Sequence, residues 1–114
     1  MGFKSQKFEN VIVISPETVK IISDNSVEFR DELADILKTE DEVILDLSGV
    51  RFIDSSGLGA LINCYKNLDK RKDIILCGLN KELNSLFAIT RLDRIFNIYN
   101  SKKEALADRD IFPS

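Results

Sequence analysis

At the centre of the chain, a short apolar stretch ending Phe52-Ile53 runs straight into Asp54-Ser55-Ser56-Gly57-Leu58-Gly59. A hydroxyl placed where a strand becomes a helix can do either of two things. It can cap the helix by accepting from a first-turn N–H group, or it can carry a phosphate stabilised by those amides and by the positive end of the helix. Glycine costs a helix about 1 kcal/mol relative to alanine, so Gly57 and Gly59 predict that something approaches the backbone closely here. The pattern is not a nucleotide-binding P-loop, because it lacks the four-residue spacing, the second glycine at that spacing and the lysine. Nor is it a nucleophile elbow: Ile53 stands where that motif needs glycine, and the chain has no histidine to act as base.

The missing histidine also removes serine–histidine–aspartate catalysis and any imidazole metal site. Cys64 and Cys77 form no thiolate pair, and each falls in an apolar pattern, so both are expected as buried core thiols. No metal or cofactor is expected. The 16 basic and 19 acidic residues give a net charge of -3, which argues against a nucleic-acid partner, since phosphate backbones need a basic face. The uninterrupted apolar runs, such as Val11 to Ile14, are too short for a membrane span, and no signal-peptide pattern or myristoylation motif opens the chain. The expectation is a cytoplasmic protein without membrane insertion.

The elements that must position the junction alternate in type. With 114 residues the chain is expected to be one domain, residues 1–114, with a core at about 8–107 and a frayed tail at 108–114. Phe8 to Ile14 and Thr18 to Ile22 read as strands of an N-terminal hairpin around Ser15-Pro16-Glu17. Asn25 and Glu28 suggest a capping box opening a first helix that carries Phe29, Leu33, Ile36 and Leu37 and ends near Lys38. Val43 to Leu47 is a continuous apolar strand, resumed at Val50 to Ile53. Leu58, Leu61, Ile62, Tyr65 and Leu68 make the apolar stripe of a second helix. A further strand, Ile74 to Leu79, leads to a helix capped by Asn80 and bearing Leu83, Leu86 and Phe87. A strand from Ile95 to Tyr99 follows, then a short helix opened by a Ser101/Glu104 capping box. The fold class is therefore α/β: a mixed central sheet with helices packed on it and an antiparallel N-terminal hairpin.

The run Val43 to Leu61, with Asp54-Ser55-Ser56-Gly57-Leu58-Gly59 at its heart, resembles the signature of the STAS domain family, in particular the bacterial anti-sigma factor antagonists. Leu92-Asp93-Arg94-Ile95-Phe96 resembles that family's segment after the third helix, and Asp24 corresponds to its loop acid. The resemblance implies a partner switch. Ser55, directly after Asp54, would be phosphorylated by an anti-sigma factor that is itself an ATP-dependent serine kinase of histidine-kinase-like fold. The unphosphorylated chain would bind that partner and free a sigma factor, and a PP2C-type phosphatase would restore the hydroxyl. The chain itself would not be an enzyme, since the kinase supplies ATP, magnesium and the base. In this reading Asp54 orients Ser55 or helps exclude the wrong state, and Ser56, Gly57, Leu58 and Gly59 form the docking face. Thr90, Arg91 and Leu92 supply rim contacts, alongside Asp24.

Two other readings compete. One is a constitutive STAS scaffold, an accessory subunit of a transporter or signalling complex, which has no need of the hydroxyl that Ser55 supplies. The other is a small nucleotide-binding or hydrolytic protein, which would need a phosphate motif that the chain lacks.

Overall fold

The computed structural model describes residues 1–113. A five-stranded sheet runs in the order β1 (Phe3–Phe8), β2 (Val11–Pro16), β4 (Glu42–Asp46), β6 (Asp73–Cys77), β7 (Asn97–Tyr99). β1 and β2 are antiparallel, and every later pairing in this sheet is parallel. A separate two-stranded ribbon pairs β3 (Lys20–Ile21) with β5 (Phe52–Ile53) in parallel. The helices are α1 (Ser26–Thr39), α2 (Ser55–Lys66), α3 (Lys81–Ile89) and α4 (Lys102–Ala107), with a 3-10 turn at Leu92–Arg94.

Parallel neighbours need helical crossovers, and right-handed crossovers in a sheet growing in one direction put successive helices on one face. That face carries the larger core: Ile14, Val43, Leu45, Ile74 and Leu76 meet Phe29, Leu33, Leu61 and Phe87 from α1, α2 and α3. The other face carries Val11, Val13, Ile44, Ile75 and Cys77 beneath Ala105, Leu106 and Ile111. A strand covered on both faces loses its polar alternation, which is why Val43-Ile44-Leu45 is apolar throughout and fully buried.

The hairpin lies one element earlier than the sequence suggests. Its turn is Glu9-Asn10, with Glu9 in the left-handed region at φ 54°, and its first strand is the polar segment Phe3–Phe8. An edge strand exposed along most of its length shows no apolar alternation, so β1 carries no strand signal. Pro16 ends β2 rather than making the turn, and the Glu17 amide closes the ladder on the Gly2 carbonyl at 2.8 Å. The Thr18–Ile22 segment contributes only the short β3.

Other boundaries shift too. Asn25 is the N-cap of α1, but its side chain turns back: Oδ1 accepts from the Ile22 amide at 2.8 Å, and Nδ2 donates to the Lys20 carbonyl at 2.9 Å. No capping box forms there. Asn80 and Ser101 do cap their helices, accepting from Leu83 and Glu104 amides at 2.7 and 3.1 Å. β7 begins at Asn97, since Ile95 is drawn into the 3-10 turn by its amide bond to Leu92. The segment expected to fray is docked as far as Ile111, whose side chain is 8% exposed and whose amide donates to Leu106 at 3.0 Å. Arg109 reaches Glu42 on the sheet and lies 5.9 Å from the centre of the Tyr99 ring. α4 is too short to cover the back face alone, and the charges of Asp108-Arg109-Asp110 hide the single apolar plug that completes it.

Both thiols are buried, as expected, and burial pushes Cys64 up to about 11 and Cys77 up to about 12 from an ordinary 9.0. An unfolded thiol therefore deprotonates first, so the native state loses stability as pH rises from about 9 towards those values. A urea titration at pH 8 and again near pH 10.5 should show the midpoint fall. At pH 8 a thiol reagent should label neither cysteine until the chain unfolds; prompt labelling of the native protein would contradict the burial. Ile111→Ala should cost about 2 kcal/mol by the same titration, the usual figure for emptying a buried isoleucine site.

Candidate functional site

The junction at α2 is built on the small ribbon. β3 and β5 align Ile21 with Ile53, and the Asp54 amide continues that pairing by donating to the Ile21 carbonyl at 3.2 Å. The chain then turns into α2, with Asp54 as its N-cap in extended backbone. Asp54 Oδ1 accepts from the Gly57 amide at 2.9 Å, and Oδ2 accepts from the Ser23 amide at 3.0 Å. One carboxylate therefore satisfies the first turn of α2 and also pins the loop before α1, bringing Asp24 beside the junction. With both oxygens spent on backbone amides, Asp54 acts as a staple between two loops, and no hydrogen bond joins it to the Ser55 hydroxyl.

That assignment settles the role of the serines in the helix. Asp54, not Ser55, is the cap, and Ser55 is the first helical residue. Ser55 and Ser56 are both exposed, and neither hydroxyl makes a hydrogen bond among the described residues. The exposed face of α2 continues through Gly59 and Asn63, and no charged residue stands between Asp54 and Lys66. Ser56, Gly59, Ala60 and Asn63 line a shallow groove against Ser26, Val27 and Arg30 of α1.

The two glycines have different causes. A Cβ on Gly57 would strike the Ile21 carbonyl and stand 2.8 Å from Ile53 Cγ2, so the close approach predicted from sequence comes from the chain's own ribbon. A Cβ on Gly59 would meet nothing within 4 Å. Gly59 is the exposed glycine, and no packing demand explains it.

Two expected docking positions move off the surface. Leu58 is 8% exposed and packs in the main core, so its side chain is not presented to a partner. Leu92 is 5% exposed and belongs to the same core. Thr90 and Arg91 are exposed but lie at the far end of α2: the Tyr65 ring in its last turn stands 4.9 Å from Phe96, next to the 3-10 turn. Ten residues of helix separate Tyr65 from Ser55, about 15 Å at 1.5 Å per residue. Thr90, Arg91 and Leu92 thus do not form a rim around Ser55.

Phe52 and Val19 were not singled out in the sequence, yet at 55% and 56% exposure they are bare apolar surface. They are neighbours, since the Phe52 amide donates to the Val19 carbonyl at 3.3 Å, and Phe52 is two residues from Asp54. Val50-Arg51-Phe52-Ile53 reads as a buried run, but strand alternation sends Phe52 outward when Ile53 faces in. No group of three or more histidine, cysteine, aspartate or glutamate side chains among the described residues could hold a metal ion.

Equilibrium unfolding separates these roles. Gly57→Ala should lose about 1–3 kcal/mol through overpacking, whereas Gly59→Ala should be neutral or gain up to about 1 kcal/mol from helix propensity. Asp54→Ala should cost about 1–2 kcal/mol, the range for a lost N-cap. Equal effects at both glycines would disprove the internal origin of the Gly57 constraint.

The STAS domain family model matches residues 4–105. The anti-sigma-B factor antagonist of Listeria monocytogenes is 34% identical over 76 residues, 64% of this chain and 67% of that protein. A candidate anti-sigma factor antagonist from Thermotoga maritima superimposes with a TM-score of 0.84 at 26% identity, covering 96% of this chain and 95% of that one. The murine anion transporter Slc26a9 contains the same fold, with a TM-score of 0.77 at 19% identity over 92% of this chain and 18% of the transporter. No helix among the described residues is long and apolar enough to cross a membrane. A family model spanning most of the chain, together with the matching architecture, places this protein in the STAS domain family.

Proposed function

We propose that this chain is an anti-sigma factor antagonist whose binding is switched by phosphorylation of Ser55. The observation that carries the reading is the state of that hydroxyl: exposed, free of hydrogen bonds among the described residues and relieved of capping duty by Asp54. A modification there costs the fold little. The name of the Listeria relative supports the antagonist assignment.

In this mechanism the dephosphorylated chain docks on an anti-sigma factor through the exposed uncharged face of α2, with Ser56 and Gly59 beside Ser55 and with Asp24 from the pinned loop. Charge-poor surface is what the buried centre of an interface requires. The partner is an ATP-dependent serine kinase, and occupying it frees a sigma factor. In the transfer, Ser55 Oγ bonds to the γ-phosphorus of ATP as the bond to the β-phosphate oxygen breaks. ADP leaves, and the serine proton passes to a base on the kinase. The product carries about -1.5 to -2 charges at the start of α2, where first-turn amides and the helix dipole stabilise it within the free chain. The same charge, set beside the Asp54 carboxylate and aimed at an uncharged interface, expels the partner. A PP2C-type phosphatase resets the switch by transferring the phosphoryl group to water. The chain contributes an acceptor and a shape, and acts as a binding protein in the cytoplasm.

Affinity capture from the native host with Ser55→Ala and Ser55→Asp chains as bait tests this. An ATPase of histidine-kinase-like fold should be held by the Ala form and weakened at least about tenfold by the Asp form. Both variants should melt within about 4 °C of the parent, since a first-turn aspartate changes helix stability by only about 0.3–1 kcal/mol. Retention of the same transporter or complex by both baits would refute the switch and favour a constitutive scaffold.

A further inference from the structure

One helical glycine has no cause inside the molecule. Gly59 weakens α2 relative to alanine, yet a Cβ there would meet nothing within 4 Å. It stands four residues beyond Ser55, and residues four apart on a helix are neighbours on one face. A protein that covers the Ser55 hydroxyl therefore lies over Gly59 as well.

Gly59 also borders a groove. α1 and α2 lie side by side, and Ser26, Val27 and Arg30 face Ser56, Gly59 and Asn63 across a trough of about 320 Å³. Asn63 is shared with a second hollow of about 250 Å³, whose apolar lining is Ala34, Leu37, Cys64 and Leu68. Together they follow the helix pair from Ser56 to Leu68, about 18 Å at 1.5 Å per residue. Extended chain rises about 3.3 Å per residue, so five or six residues span that length.

The chemistry of the groove changes along its course. Beside Gly59 it offers hydrogen-bonding groups with little to hold them: Ser56 Oγ and Asn63 Nδ2 make no hydrogen bond among the described residues. Arg30 pairs with Asp31, its neighbour in sequence, at 3.1 Å, and the two side chains are 42% and 64% exposed. A pair so exposed is weak and readily exchanged. A hydroxyl donates and accepts, whereas an amide N–H and a guanidinium donate. Such groups around a glycine suit a polypeptide main chain, whose close approach a side chain at position 59 would block. The apolar half beyond Asn63 suits a hydrophobic side chain of the same segment.

We infer that the α1/α2 groove receives an extended segment of the kinase that phosphorylates Ser55, with main chain laid against Gly59 and an apolar side chain seated by Leu37 and Leu68. The assignment rests on the Ser55 switch and adds to it residues of α1, which lie outside the phosphorylation motif. The kinase is the occupant because the groove opens on the first turn of α2. Ser56 lines it and adjoins the acceptor, so a protein that brings ATP to Ser55 has the groove beneath it. Val27, 56% exposed at the groove, and Arg30 then help to set which kinase fits.

The ATPase held by the Ser55→Ala chain is the probe, purified and set to phosphorylate the chain over a range of chain concentrations. Gly59→Leu should raise KM for the chain at least about tenfold with kcat within about twofold. It should melt no lower than the parent, because leucine favours helix and its Cβ meets no neighbour. Arg30→Gln should raise KM about threefold at unchanged melting, with Arg30→Lys falling between. Gly59→Leu phosphorylated like the parent would remove the groove and leave the switch standing. So would an equal rise in KM for Lys103→Glu, on the opposite face of the sheet, or a dimer of the parent chain that Gly59→Leu dissolves. Failure of the Ser55→Ala chain to hold any such ATPase would remove the switch, and the groove assignment with it.

Discussion

A single carboxylate holds the α2 end of this molecule together. Asp54 accepts from Gly57 in the first turn of α2 and from Ser23 in the loop before α1, so two segments that meet only in the folded chain share one acceptor. The arrangement needs the absence of a side chain at Gly57, because α2 starts directly against the Ile21 carbonyl. Since Asp54 meets the needs of the helix end, the neighbouring hydroxyls are left free. The availability of Ser55 is therefore a consequence of how the helix is capped.

The sheet explains where that junction can sit. Its parallel strands send α1, α2 and α3 to one face, so strand ends and helix starts collect at one edge of the domain. The opposite face is closed by α4 and the segment through Ile111, anchored by Arg109 on Glu42. Modification or docking at the α2 end thus falls on a surface whose support is a core packed on both sides of the sheet. The proposed exchange of partners would therefore need no refolding.

Charge is distributed unevenly over the helices. α1 presents carboxylates and a lysine to water, whereas α2 and α3 present faces nearly free of charge. These faces end at opposite edges, one at Ser55 and the other at Ile89 and Arg91. Family membership and fold do not choose between a soluble switch and a transporter subunit, because the same architecture occurs within Slc26a9. The distinction rests on what the individual surface residues can do chemically.

Much of the core was readable from the chain because local pattern and tertiary environment agree there. Val43-Ile44-Leu45 is apolar wherever a strand is covered twice, Asn80 and Ser101 cap where local geometry alone suffices, and the Asp54-to-Gly59 motif located the junction without coordinates. The misreadings share one physical cause: burial and exposure set by distant chain. β1 is a strand only because β2 offers it an edge, and Ile111 is core only because α4 leaves a gap. Leu58 and Leu92 look like surface contacts in the motif but are claimed by the core. Sequence by itself determined the family, the α/β class and the place of the paired hydroxyls at the strand-to-helix junction, since those depend on side-chain type and local spacing. Only the tertiary structure decided that Asp54 is the cap, that Gly57 answers to Ile21 and that Arg91 lies far from Ser55, because each is a contact or separation between segments that local pattern cannot encode.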